Sequence, residues 1–441
     1  MVDNTLAFID QGSLLWVQAS GHVHGVQATW LYGRAVDLDG LGRVRDNLAH
    51  GLLGRRVECS PLPLGRHRWV AWPHRPVIDV AAPARSRAAV AEWADERANV
   101  PIDPQRGPCW HLGVLPLADD RAAVSLVASH TVIDGVGLCR AIADAVRGTT
   151  HNLGYPLPGA RPRRRAVLED AGVLIRGLPE AARAVVVGAR LARRSAGGPG
   201  ARRPPAPGDR DTPVAVPTAT VYLDVADWDA RAQALGGTSN SLFAGFAAKL
   251  AQRSGRVRAD DGWVTLTYPV NDRADNDTRA NALKSIDVVV DPAAVTTDLR
   301  EVRRRIKEAL ALGLGNFAEQ EGALPLIPLT PKAIVKRLPA DTVGAAALPV
   351  GCSNLGDLDP ATACVDGTAA DYFSVRLVAQ NLTRRSPELK YGELHLTSGR
   401  IGGKLFIAVR GYEPGTDNLS SDLRDLVAKT LTDFDLTGII D

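Results

Sequence analysis

Residues 122–139 read Ala122-Ala-Val-Ser-Leu-Val-Ala-Ser-His130-Thr-Val-Ile-Asp134-Gly135-Val-Gly-Leu-Cys139. The first eight residues form an apolar run with the length of a buried strand. The run ends on His130, and a second apolar stretch with helical spacing begins at Gly135 and continues to Arg147. A strand that passes through a short turn into a helix is the repeating unit of an α/β protein. A histidine at the end of such a strand is held in a fixed position. The ordinary imidazole pKa near 6.5 suits a general base at neutral pH. Asp134, four residues on, either orients the imidazole or points away and locks the loop. Gly135 permits a backbone conformation or a close approach that a side chain would forbid. Taken by itself, a single histidine at a strand end is more often structural than catalytic.

Working outward, the spacing predicts strands over 30–37, 68–72 and 111–117, with a turn at Ala118-Asp119-Asp120 before 122–129. Helices are predicted over 38–53, capped by Asp37 or Asp39, and over 88–98. Further on, strands are predicted over 218–225, 263–270, 285–290, 392–397 and 404–409. Helices are predicted over 239–254, 297–312 and 420–431. Between these halves, residues 161–194 carry apolar residues at helical spacing interrupted by Pro179, which predicts one kinked or two successive amphipathic helices. The Gly/Pro/Ala-rich run 195–209 reads as an exposed linker. The expected organisation is an N-terminal lobe over 1–160, a basic helical crossover and linker over 161–213, and a C-terminal lobe over 214–441.

Composition narrows the function classes. Hydrophobic residues make up 45% of the 441, enough for substantial cores. The net charge of +3 does not suggest a nucleic-acid binder. Residues 161–203 carry eleven Arg and three acids, a local +8 that leaves −5 for the rest. That basic segment is open to three readings: a solvated crossover, a surface for a soluble anionic partner, or a contact with an anionic membrane surface. Five scattered cysteines contain no Cys-x-x-Cys pair, and His22, His24 and the other histidines suggest no metal site. The sequence has no signal-peptide pattern and no apolar run of membrane-spanning length, so the expected location is cytoplasmic, with peripheral membrane contact through 161–203 as the variant.

The pattern His130-x-x-x-Asp134-Gly135 resembles the active-site motif of the chloramphenicol acetyltransferase-like superfamily. That group includes nonribosomal peptide synthetase condensation domains, wax ester synthases/diacylglycerol acyltransferases and polyketide-associated acyltransferases. Three other stretches are similar to the group: 101–112 (PIDPQRGPCWHL), 267–273 (TYPVNDR) and Ser353-Asn354-Leu355-Gly356. The resemblance implies two α/β lobes, each a mixed sheet with flanking helices, and a tunnel between them. It implies that His130 is the catalytic base and that Asp134 pairs with Arg273 structurally. The first histidine of the motif is replaced by Ser129. Ser129, Ser353 and Asn354 are candidate oxyanion or substrate contacts, although the last two also suit an ordinary turn. The implied reaction moves an acyl group from a coenzyme A or phosphopantetheine thioester to a hydroxyl or amine acceptor. It needs no metal or bound cofactor, and an acyl carrier protein is a candidate partner. Ester formation by a stand-alone enzyme is favoured over a free-standing amide-forming condensation enzyme. A non-catalytic carrier-binding module is the reading from another class. No Gly-x-Ser-x-Gly elbow supports a hydrolase.

Overall fold

The computed structural model describes residues 2–195, 212–335 and 348–441. In chain order its strands are β1 (Val23–Tyr32), β2 (Arg55–Glu58), β3 (Arg68–Ala71), β4 (Ile78–Val80), β5 (Trp110–Pro116), β6 (Ala122–Ser129) and β7 (Thr218–Asp224). They continue as β8 (Val264–Asn271), β9 (Leu283–Val290), β10 (Val350–Asp357), β11 (Tyr372–Gln380), β12 (Glu393–Ile401), β13 (Lys404–Tyr412) and β14 (Ile439–Ile440). The helices are α1 (Phe8–Ser20), α2 (Leu38–Leu48), α3 (Val90–Ala98), α4 (Gly135–Val146), α5 (Arg163–Ser195) and α6 (Val225–Ala234). After them come α7 (Ser239–Arg253), α8 (Arg300–Ala323), α9 (Lys332–Val335), α10 (Arg385–Leu389) and α11 (Ser420–Asp433).

Two mixed sheets organise the chain, one in each lobe. The first runs β11-β1-β6-β5-β4 and the second β14-β7-β13-β12-β10-β8-β9. In the first sheet only the β4–β5 pair is parallel. In the second, β10 is parallel to both neighbours. β6 is buried along all eight residues, as expected for an apolar strand between two others. Its two neighbours, β1 and β5, place Gly25 opposite Ser129 and Trp110 opposite Ala128. The site-bearing end of β6 is therefore fixed from both sides.

β11 departs from the expected division at residue 214. It follows β10 in sequence but pairs antiparallel with β1 over Val23–Leu31, completing the first sheet. It also packs against the second sheet, where Phe373 meets Phe406 edge-on at 6.0 Å and Tyr222 shares a 3.2 Å hydrogen bond with Ser374. Residues 214–441 thus contribute to both lobes.

Side-chain caps fix the starts of α2, α4, α6 and α7. Asp37 caps α2 by accepting from the Asp39 amide, and Thr238 with Ser241 forms a capping box on α7. The strand expected over 30–37 is β1, which ends at Tyr32, and the helix expected over 38–53 stops at Leu48 before a separate 3-10 turn at Gly51–Leu53. The segment from 163 to 195 is one helix that continues through Pro179. Asp170 on α5 is buried and accepts from Ser60 Oγ at 2.7 Å, Arg161 Nη1 at 3.0 Å and Arg68 Nη2 at 3.2 Å, which docks the helix on the first lobe. The linker expected over 195–209 lies, after Ser195, outside the described residues. Among the described residues no helix is long and apolar enough to cross a membrane.

Candidate active site

His130 follows directly on β6, and its main chain is held from both lobes. Its amide donates to the His24 carbonyl on β1 at 2.9 Å. Its carbonyl accepts from Asn281 Nδ2 at 3.1 Å. Asn281 is held in turn by Asp10 of α1, whose Oδ1 accepts from the Asn281 amide at 2.8 Å and from Nδ2 at 3.2 Å. Asp10 Oδ2 accepts from the Ala280 amide at 2.9 Å. Burial pushes the Asp10 carboxyl above its ordinary pKa, against the pull of these donors and of Arg55. Arg55, also fully buried, donates from Nη2 to the Val132 carbonyl at 3.0 Å and stacks on Trp69. The imidazole of His130 is partly exposed, while the residues on either side of it are buried.

Asp134 caps α4 and ties the two lobes together. Its Oδ1 accepts from the Gly137 amide at 2.7 Å. Its Oδ2 accepts from Arg273 Nη2 at 2.6 Å and from the Ala282 amide at 2.9 Å. The two side chains are 6% and 3% exposed, so the pair is cut off from water. The contact uses one guanidinium nitrogen rather than two. Nη1 instead donates to the carbonyls of Asp277 and Arg279, and Nη2 also donates to that of Ala280. Asp134 therefore locks the turn, and its carboxylate oxygens are bonded to Gly137, Arg273 and Ala282 rather than to the His130 ring. Gly137 suits this position, because a Cβ would stand 3.0 Å from Asp134 Oδ1 and 3.2 Å from Arg273 Nη2 and would press on the ion pair. Gly135 does not adopt a left-handed conformation, and a Cβ there would meet only the end of the Leu355 side chain, at 3.2 Å.

The remaining candidates separate. Ser129 is fully buried with an unpartnered hydroxyl, and as placed it offers no group to a ligand. Ser353 and Asn354 lie in strand β10, not in an ordinary turn. Asn354 is committed to the fold: Nδ2 donates to Asn240 Oδ1 at 3.0 Å, and Oδ1 accepts from the Gly356 amide at 2.9 Å across a register shift. Ser353 keeps its hydroxyl on the face between the lobes, 3.3 Å from His395 Nε2.

His395 has no counterpart in the sequence reading. It lies on β12 beside Glu393, on the face opposite Leu394 and Leu396, which belong to the second core. Its ring lies against Gly351 of β10, where a Cβ would fall 2.3 Å from His395 Cδ2. Burial pushes His395 down to about 4, with further opposition from Arg410 and from His130 facing it. Burial likewise pushes His24 down to about 3, with His130 again among the opposing charges. Both rings are therefore neutral near pH 7. Burial works to raise the Glu393 carboxyl, but Arg410 and Lys390 outweigh it and hold it at about 2. Arg410 Nε donates to Glu393 Oε1 at 2.7 Å. Only the fold could reveal this cluster, since His24 and His395 are 371 positions apart in sequence. A cleft of about 1090 Å³ opens beside the lock, with α4 residues Gly137 and Arg140, Arg273 and Asn354 in its wall; His130 is not among its lining residues. Among the described residues no group of three His, Cys, Asp or Glu is placed to hold a metal ion.

The two mixed sheets with flanking helices give the chain the fold seen in solved condensation domains. Solved structures with this fold include the first condensation domain of the calcium-dependent antibiotic synthetase in complex with a substrate analogue, at 16% identity and TM-score 0.60, covering 99% of this chain and 98% of that one. The wax ester synthase/diacylglycerol acyltransferase from Marinobacter aquaeolei VT8 matches at 17% identity and TM-score 0.56 over 98% of both chains. Polyketide synthase associated protein 5 from Mycobacterium tuberculosis matches at 17% identity and TM-score 0.56, over 98% of this chain and 99% of that one. No protein-family model matches the sequence, and no curated protein does.

Proposed function

We propose that this protein is an acyltransferase that moves an acyl group from a thioester, of coenzyme A or of a carrier-protein phosphopantetheine, to a hydroxyl acceptor. The observation that carries the reading is the fixing of His130. Its amide and carbonyl are tied to the two lobes, and the turn behind it is locked by a water-excluded ion pair. A general base so held keeps its geometry through the reaction.

In this mechanism the His130 imidazole takes the proton of the acceptor O–H as the oxygen attacks the thioester carbonyl carbon. The carbonyl π pair moves onto oxygen. Collapse of that oxyanion expels the thiolate, which takes the proton back from His130. The acyl group passes directly from sulfur to oxygen, with no covalent enzyme intermediate. We assign the hydrogen bond to the developing oxyanion to the Ser353 hydroxyl, which is free to donate when the neighbouring His395 carries its proton on Nε2 and donates to it. The structural neighbours favour this class, since one is named as a wax ester synthase/diacylglycerol acyltransferase and others as condensation domains.

The test pairs acyl-CoA donors, and acyl carrier proteins, with alcohols and amines and follows product mass. His130→Ala is expected to reduce turnover by about 10²–10⁴-fold. Unchanged turnover in that variant would sink the catalytic assignment. An amide product would move the assignment to a condensation enzyme. Carrier-protein binding without turnover for any pair would leave a non-catalytic module.

A further inference from the structure

We propose that the outward face of α5 is a docking surface for an anionic lipid bilayer. The inference stands apart from the acyl-transfer reading and rests on the distribution of side chains around one helix.

At about 100° per residue, the buried positions Ala166, Asp170, Ala181 and Ala184 cluster on one side of α5. A second apolar arc lies on the exposed side. Leu168, Ile175, Leu178, Val185 and Val186 fall within about 100° of one another. They are 74%, 65%, 53%, 57% and 52% exposed. Scattered exposed aliphatics are ordinary, but a row of five along about 27 Å of one helix is not. Beside this stripe, Arg165, Arg176, Arg183 and Arg190 fall within an arc of about 40°. Arg165 is paired with Glu169, whereas Arg176, Arg183 and Arg190 make no ion pair among the described residues. A groove of about 270 Å³ continues the apolar surface from Leu178 towards Phe8, Leu64, Pro325 and Pro328, with Arg66 and Arg176 in its wall.

An aliphatic stripe bordered by a row of arginines matches the boundary between acyl chains and anionic headgroups. A soluble acidic partner would use the arginines but has no need of the aliphatic stripe. Two copies packed stripe to stripe would bring like-charged rows together. An anionic bilayer satisfies both features at once.

The experiment is flotation of the full chain with vesicles of phosphatidylcholine alone or mixed with phosphatidylglycerol, at low and raised salt. Binding is expected to the mixed vesicles, at least about tenfold weaker to phosphatidylcholine alone, and weaker again at raised salt. Each arginine at an anionic surface is worth about fivefold in partitioning, so Arg176→Gln/Arg183→Gln/Arg190→Gln is expected to lower binding by about 100-fold. Ile175→Ser/Leu178→Ser/Val185→Ser is expected to lower it comparably, with circular dichroism unchanged because all three side chains already face outward. Three results would overturn the proposal. One is no binding to mixed vesicles at low salt. Another is binding that the serine variant leaves intact, which marks a purely electrostatic surface for an acidic partner. The last is a doubled solution mass abolished by the serine variant, which makes the stripe a contact between copies.

Discussion

Replacing Arg273 with Met tests the reading of Asp134 as an interlobe lock. Asp134 accepts three hydrogen bonds, from Arg273 Nη2 at 2.6 Å and from the Gly137 and Ala282 amides at 2.7 and 2.9 Å. With the guanidinium gone, the carboxylate stays buried with two neutral donors, and the carbonyls of Asp277, Arg279 and Ala280 lose a partner. Removing one member of a buried ion pair costs about 3–5 kcal/mol, and the Asp277 and Arg279 carbonyls that lose their donor place this case in the upper half of that range, while the Ala280 carbonyl keeps the Asp134 amide. For a cooperative chain of this length, about 4 kcal/mol corresponds to a fall in Tm of roughly 4–5 °C. Urea unfolding of Arg273→Met, Asp134→Asn and the double variant measures the coupling directly. The double variant is expected to be more stable than the sum of the single losses by about 2–3 kcal/mol, since neither charge is then left alone. A loss below about 1 kcal/mol for Arg273→Met, or simple additivity in the cycle, would refute the lock.

Ser353→Ala and His395→Ala are each expected to lower kcat by about 10–100-fold with KM little changed, because the donor acts where charge develops; a change confined to KM would assign the pair to ground-state binding. Gly351→Ala forces a Cβ to within 2.3 Å of His395 Cδ2, and is expected to displace the ring and reproduce the His395→Ala rate while costing about 1–3 kcal/mol in denaturant unfolding. Stability is expected to fall as pH drops below about 6.5. His24 is held at about 3, and His67, His111 and His395 at about 4, each through burial first. Between 6.5 and 4 the unfolded chain binds protons that the folded chain refuses, so stability rises with pH there, by at most about 1.4 kcal/mol per pH unit for each ring. A flat urea midpoint from pH 7 to 4.5 would contradict these shifts.

Residues 122–139 made the strand, the turn and the helix of the site readable, because an apolar run and a helical repeat are local signals, whereas the capping of that helix by Asp134 came from the structure. The strand–helix alternation on either side pointed to an α/β protein for the same reason. Three things had no local signal. β11 joins the first sheet by pairing with a strand some 350 residues earlier, and such pairing is a property of the packed chain. Asn354 suited an ordinary turn, yet pairing of β10 with β12 places it in a strand, and its side chain reaches Asn240 on α7. The polar cluster of His24, Glu393, His395 and Ser353 exists only because two sheets bring their inner faces together. A sequence shows which residues can do chemistry and which can cap a helix. Which of them are neighbours was decided here by long-range strand pairing and burial, and these also set the charge state of each imidazole in the cluster.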